Sequence, residues 1–243
     1  MIDWLRKDMQ DPAMEVAGRT LPIAIRRHAR ARRLTMRLAP DGNELRITLP
    51  TWGRTQDALA FANAREGWIA QQLAKVPEAV VIENGARFPY RGGDIFIAWR
   101  KGGPRKVELV DGSLVFGGPE DRIASRVQRW LESEALRLAG DDLAFYCERA
   151  GLDVPQLRLS RAKRRWGSCA GQRADRCIRI NWRLVMAPEH VRRSVVAHEV
   201  AHLVHFDHSP AFHRLLGNLF DGEIAEADGW LRAEGRSLYA AFG

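Results

Sequence analysis

Three observations predict an α+β fold. Short stretches of alternating apolar residues, separated by turn residues, crowd the first half between Leu21 and Phe116. Apolar residues at helical spacing dominate the second half, from Pro119 to Ala150 and again after Pro188. Gly117-Gly118-Pro119 stands between them as a break. The expected organisation is a loose N-terminal extension over 1–20, a mainly β module with one helix over 21–118, and a domain of helices against a small β-sheet over 119–243.

The elements follow in order. Leu21 to Ile25 alternates and predicts a strand. Arg33 to Leu38 and Glu44 to Leu49 alternate around Pro40-Asp41-Gly42-Asn43, the chemistry of a hairpin turn. Thr55 to Ala74 carries Ala58, Phe61, Ala62, Trp68, Ile69 and Leu73 at helical spacing, with Trp68 expected as a core anchor. Arg87 to Arg100 predicts a second hairpin turning at Arg91-Gly-Gly-Asp94, and Lys106 to Phe116 two more short strands around Asp111-Gly112. Pro119 to Ala150 is helical, with Gly140 and Asp141-Asp142 a candidate break and Gly151 a stop. Leu157 to Leu159, Arg165 to Ala170 and Cys177 to Trp182 read as short strands. Pro188 opens a helix that is apolar on most sides, through Val191, Val195, Val196, Val200, Leu203 and Val204. Ser209-Pro210 opens the next, Ser as N-cap and Pro at the first helical position. Asp221 to Tyr239 is helical again. No sequence repeat is visible.

The chain has 243 residues, three cysteines without a Cys-x-x-Cys pair, no signal peptide and no long apolar run. That predicts a reduced, cytoplasmic protein without a membrane partner. The net charge is +8 and unevenly spread. Thr20 to Met36 carries Arg26, Arg27, Arg30, Arg32 and Arg33 and no acid. Pro155 to Arg183 is also arginine-rich, with Asp175 its one acid. A solvated basic face accounts for such runs, and so does an anionic substrate, a nucleotide or a nucleic-acid partner.

Chemistry concentrates in Val195 to His213, which holds five of the seven histidines. Within it stands His198-Glu199-x-x-His202. Residues four apart stack on one helical face, so both imidazoles can reach one metal ion. Glu199 is rotated by about 100° from His198, beside the metal, where a general base for a zinc-bound water must stand. A catalytic zinc takes three protein ligands and leaves a position for water. The third candidates are His208, His205, His213, Glu223 and Glu226. His205 also suits a helix terminus, and the two acids also suit a helix start. His205 occupies the glycine position of the metzincin pattern, and no methionine follows the motif, so that class is excluded.

Further motifs line up around this core. Arg165-Trp-Gly-Ser-Cys169, Ile178-x-Ile-Asn-Trp-x-Leu184, Pro188, the His198–His202 motif and Asp207-His-Ser-Pro-x-Phe212 closely resemble the YgjP-like metallopeptidase domain. Arg30-Ala-Arg-Arg33, Asp41-Gly42, Pro50, Trp68-Ile69 and Phe88-x-Tyr-x-Gly92 extend the resemblance back to about Leu21. The resemblance implies a zincin-type core, distantly related to SprT-like proteases. Their third ligand, a histidine in a similar His-x-Pro-x-Phe setting, corresponds to His208. It fixes no role for His205 or His213. It places Arg165 and Trp166 beside the cleft as substrate-binding candidates, with a packing role for Trp166-Gly167 as the equal alternative.

The expected function is therefore a zinc metallopeptidase. It would hold one zinc per chain through His198, His202 and His208, with Glu199 as base and a peptide or protein, acidic or not, as substrate. Two alternatives stand beside it. One is a metal-dependent phosphohydrolase acting on nucleotides, with arginines holding phosphates. The other is a nucleic-acid-associated module using the basic N-terminal hairpin.

Overall fold

Residue pairs in left-handed backbone turn the chain back on itself at three two-residue hairpins. Ala17 and Gly18 (φ 52° and 74°), Arg91 and Gly92 (52° and 81°), and Asp111 and Gly112 (47° and 74°) have the paired positive φ of tight β-hairpins. The computed structural model describes residues 12–171 and 176–242. The chain divides into two compact units, one ending at Glu78 and one running from Ala79 to Phe242.

The first unit holds β1 (Ala13–Val16), β2 (Arg19–Arg27), β3 (Thr35–Leu38), β4 (Leu45–Leu49), α1 (Thr55–Asn63) and α2 (Glu66–Leu73). Its sheet runs β1-β2-β4-β3, with β2 and β4 parallel and both hairpins antiparallel. Leu45, Ile47 and Leu49 alternate inward and are fully buried against Ala58, Ala62, Ile69 and Leu73. Two expectations change here. Ala13–Val16, inside the stretch read as loose, is a strand whose Met14 and Val16 are buried; four residues are too few for periodicity to announce it. Residues 1–11 of that stretch lie outside the described residues. The single helix expected over 55–74 is two, because the chain leaves helical geometry at Arg65 (φ −125°, ψ 22°). Ile69 and Leu73 of the second helix face inward, as Ala58 and Ala62 of the first do. Trp68, expected in the core, is 40 % exposed.

The second unit begins with β5 (Arg87–Tyr90), β6 (Gly93–Trp99), β7 (Glu108–Val110) and β8 (Ser113–Phe116). Their order, β5-β6-β8-β7, and their directions repeat those of the first sheet, a topological repeat that the residues do not show. The long α3 (Ile123–Ala150) follows, ended by Gly151 in left-handed geometry (φ 65°). Phe88, Ile97, Leu114 and Phe116 share one core with Val127, Leu131 and Leu143 of this helix. Gly117-Gly118-Pro119 is thus a connection inside the unit. The break considered at Gly140-Asp141-Asp142 does not occur. Asp142 is buried and ion-paired to Arg192, so its carboxylate is satisfied without leaving the helix.

Next come β9 (Gln156–Ser160), β10 (Gly167–Ala170), β11 (Cys177–Asn181), α4 (Glu189–Ala201), α5 (Pro210–Leu219) and α6 (Ile224–Glu234). The small sheet is ordered β10-β11-β9, antiparallel then parallel, which leaves β10 at an edge. Helix α4 is the centre of the unit. Val191, Val196, Ala197, Val200 and Ala201 are fully buried, and α3, α5, α6 and β10 pack around it. Such burial explains why its apolar residues fall on most of its circumference. The fold is α+β, strand-rich first and helical around α4 afterwards.

Candidate metal centre

Helix α4 positions two of the imidazoles. His198 lies in its last turn, and His202 caps it while still in right-handed helical geometry (φ −69°, ψ −14°). One helical turn apart, their Nε2 atoms come within 3.1 Å. The chain then reverses through His205 to His208 and enters α5. Ser209 caps that helix, its hydroxyl accepting from the Phe212 N–H, and Pro210 takes the first position. This entry fixes the preceding residue, and His208 Nε2 stands 3.3 Å from His198 Nε2. The nitrogens of His198, His202 and His208 all lie within 4.8 Å of one another.

These three residues fit a divalent metal by their chemistry. The His202 Nδ1 faces the His205 carbonyl at 2.9 Å and must donate to it, so Nε2 keeps its lone pair. Burial, with the neighbouring His202, His208 and His213, lowers the His198 pKa to about 4, so that ring is neutral at ordinary pH. Lone pairs converging in a part-buried site call for a cation. Tetrahedral zinc at about 2.0–2.1 Å from each nitrogen requires a nitrogen–nitrogen spacing of about 3.3–3.4 Å. The two spacings that involve His198, 3.1 Å to His202 and 3.3 Å to His208, approach this value. Phe212, fully buried, is the apolar floor: its ring centroid lies 5.0, 4.6 and 4.8 Å from those of His198, His202 and His208.

Glu199 is buried beside this group rather than in it. Burial raises its carboxyl pKa to about 7, against the opposing pull of the Cys169 backbone N–H and the Arg165 charge. Its Oε2 is buried without a hydrogen-bond partner among the described residues. Strand β10 comes close because residue 167 has no side chain. A Cβ there would stand 2.7 Å from Glu199 Cγ and closer still to Oε1. Gly167→Ala is therefore expected to displace the carboxylate and lower turnover about 10²-fold, the usual effect of a misplacement near 1 Å, while metal content stays constant. Unchanged kcat/KM in that variant would show that Glu199 tolerates the shift.

The other candidate residues separate clearly. Arg165 is exposed and acts on Glu199 through its charge. Trp166 is half-buried, packs against the core and lies 5.9 Å from Tyr239 between ring centroids, which favours its packing role. His205 contributes its backbone carbonyl to the site. His213 is exposed, with its ring 6.4 Å from that of His208. Glu223 and Glu226 are exposed and stand outside the three-histidine group. Sequence reasoning missed the parts played by Phe212 and the Cys169 N–H. The Phe of the Asp207–Phe212 motif was a signal for the first; the second is a backbone group and leaves none.

A family model described as "YgjP-like, metallopeptidase domain" matches residues 32–234. No curated protein and no solved structure matches the chain. With most of its length covered, the chain belongs to the YgjP-like metallopeptidase domain family.

Proposed function

We propose that the chain is a zinc-dependent peptidase in which His198, His202 and His208 hold the metal and Glu199 moves the proton. The supporting observation is the convergence of three imidazole nitrogens beside one buried carboxylate with an unpartnered oxygen. Zinc in such a site lowers the pKa of a bound water to about 7 and polarises a carbonyl. Glu199 Oε2 is free to take a proton and return it to the leaving amine. The Cys169 N–H holds the other side of the group, and Gly167 leaves it room.

The edge position of β10 supports a peptide substrate. An extended chain can add to the outer edge of that strand by backbone hydrogen bonds, next to the residue that packs on Glu199. Arg164 and Arg165, exposed where the chain enters β10, favour acidic side chains nearby. No helix of the described residues is long and apolar enough to cross a membrane. The test is a screen of peptides and nucleoside triphosphates with the zinc-loaded protein. Peptide cleavage lost in Glu199→Gln is the expected result. Nucleotide hydrolysis without peptide cleavage would contradict the proposal.

A further inference from the structure

We infer that the first unit carries a binding site for single-stranded nucleic acid, in the groove between strand β3 and helices α1 and α2. The groove has a volume of about 520 Å³ and is lined by Arg33, Leu34, Thr35, Met36, Phe61, Arg65 and Trp68. That volume lies in the range of ligand sites, about 300–1,000 Å³. It belongs entirely to the unit that ends at Glu78 and owes nothing to the histidine site.

Two independent features converge on it. The first is aromatic. Trp68 is 40 % exposed on α2, at the margin of the face that buries Ile69 and Leu73, and Phe61 lines the same groove from α1. The Arg65 guanidinium lies over the Phe61 ring, 3.9 Å from its centroid. An exposed indole beside an arginine-stacked phenyl offers π-faces for an unpaired base.

The second feature is charge. Residues 20–40 contain Arg26, Arg27, Arg30, Arg32, Arg33 and Arg37 and not one acid. Strand β3 lies within this run and is the sheet's edge strand. Arg33 and Arg37 are exposed, and among the described residues neither they nor Arg65 stands in an ion pair. Uncompensated guanidinium groups call for phosphates. An acidic peptide would meet the charge but leave the aromatic faces unused. A duplex would meet the charge too, but its bases are stacked inside. A single strand satisfies both features.

The test uses the full chain and a fluorescent oligouridylate of about 15 nucleotides, with anisotropy as the readout. Trp68→Ala is expected to weaken binding about 5- to 150-fold, with Trp68→Phe restoring much of it. Arg33→Ala is expected to reduce the slope of log affinity against log salt by about 0.7. Glu199→Gln is expected to bind as the unaltered chain does. Because Trp68 is exposed, its loss leaves the core intact, and an unchanged circular dichroism melt checks this. Equal affinity for a duplex of the same length, displacement by polyglutamate at equal charge, competition by uridine monophosphate at the same concentration, or unchanged affinity in Trp68→Ala would each overturn the inference.

Discussion

Glu199→Gln is expected to reduce peptide turnover about 10²–10⁴-fold while the protein keeps its metal. The carboxamide has the same size and still offers an oxygen to the Cys169 N–H, so the contact between β10 and α4 survives. What it lacks is a site for the proton. Glu199 is outside the group formed by His198, His202 and His208, so zinc content is expected to stay at the level of the unaltered chain. kcat/KM and metal per chain, measured on one preparation, separate the two roles. Activity above about a hundredth of the unaltered level would remove Glu199 as the base.

The second large effect is on stability. Asp142→Ala is expected to destabilise the fold by about 3–5 kcal/mol. Arg192 donates from Nε to Asp142 at 2.7 Å, and its side chain is 2 % exposed. Removing the carboxylate strands that charge between α3 and α4. Glu189 also pairs with Arg192, but at 3.9 Å and half-exposed it offsets little of that loss. The paired change Asp142→Leu with Arg192→Met removes both charges and is expected to cost far less than either single change. Urea denaturation of the three variants measures this. A double variant as unstable as Asp142→Ala would show that packing, not the unpaired charge, sets the loss.

That ion pair also shows where sequence reading falls short. Asp141-Asp142 after a glycine reads as a helix break when each residue is judged by local preference. The partner that keeps Asp142 helical is fifty residues away in sequence, and no local pattern announces it. Trp68 is similar: it stands about 100° round the helix from the buried Ile69, at the margin of the apolar face, and helical spacing alone does not say whether a residue at that margin is covered. The approach of His198 and His202 was legible for the opposite reason. His198 and His202 are set by helical period, a local rule; His208 was one of several candidates until the family resemblance singled it out. The hairpins at Arg91-Gly92 and Asp111-Gly112 were legible for the same reason. Gly167 lay between, visible as a small residue in a motif, while the carboxylate it makes room for lies on another element.

Metal analysis of the purified chain by mass spectrometry decides which side chains hold the zinc. About one zinc per chain is expected, lost in His202→Ala and in His208→Ala and retained in Glu223→Ala and Glu226→Ala. Full zinc occupancy in His208→Ala, with loss in either glutamate variant, would contradict it.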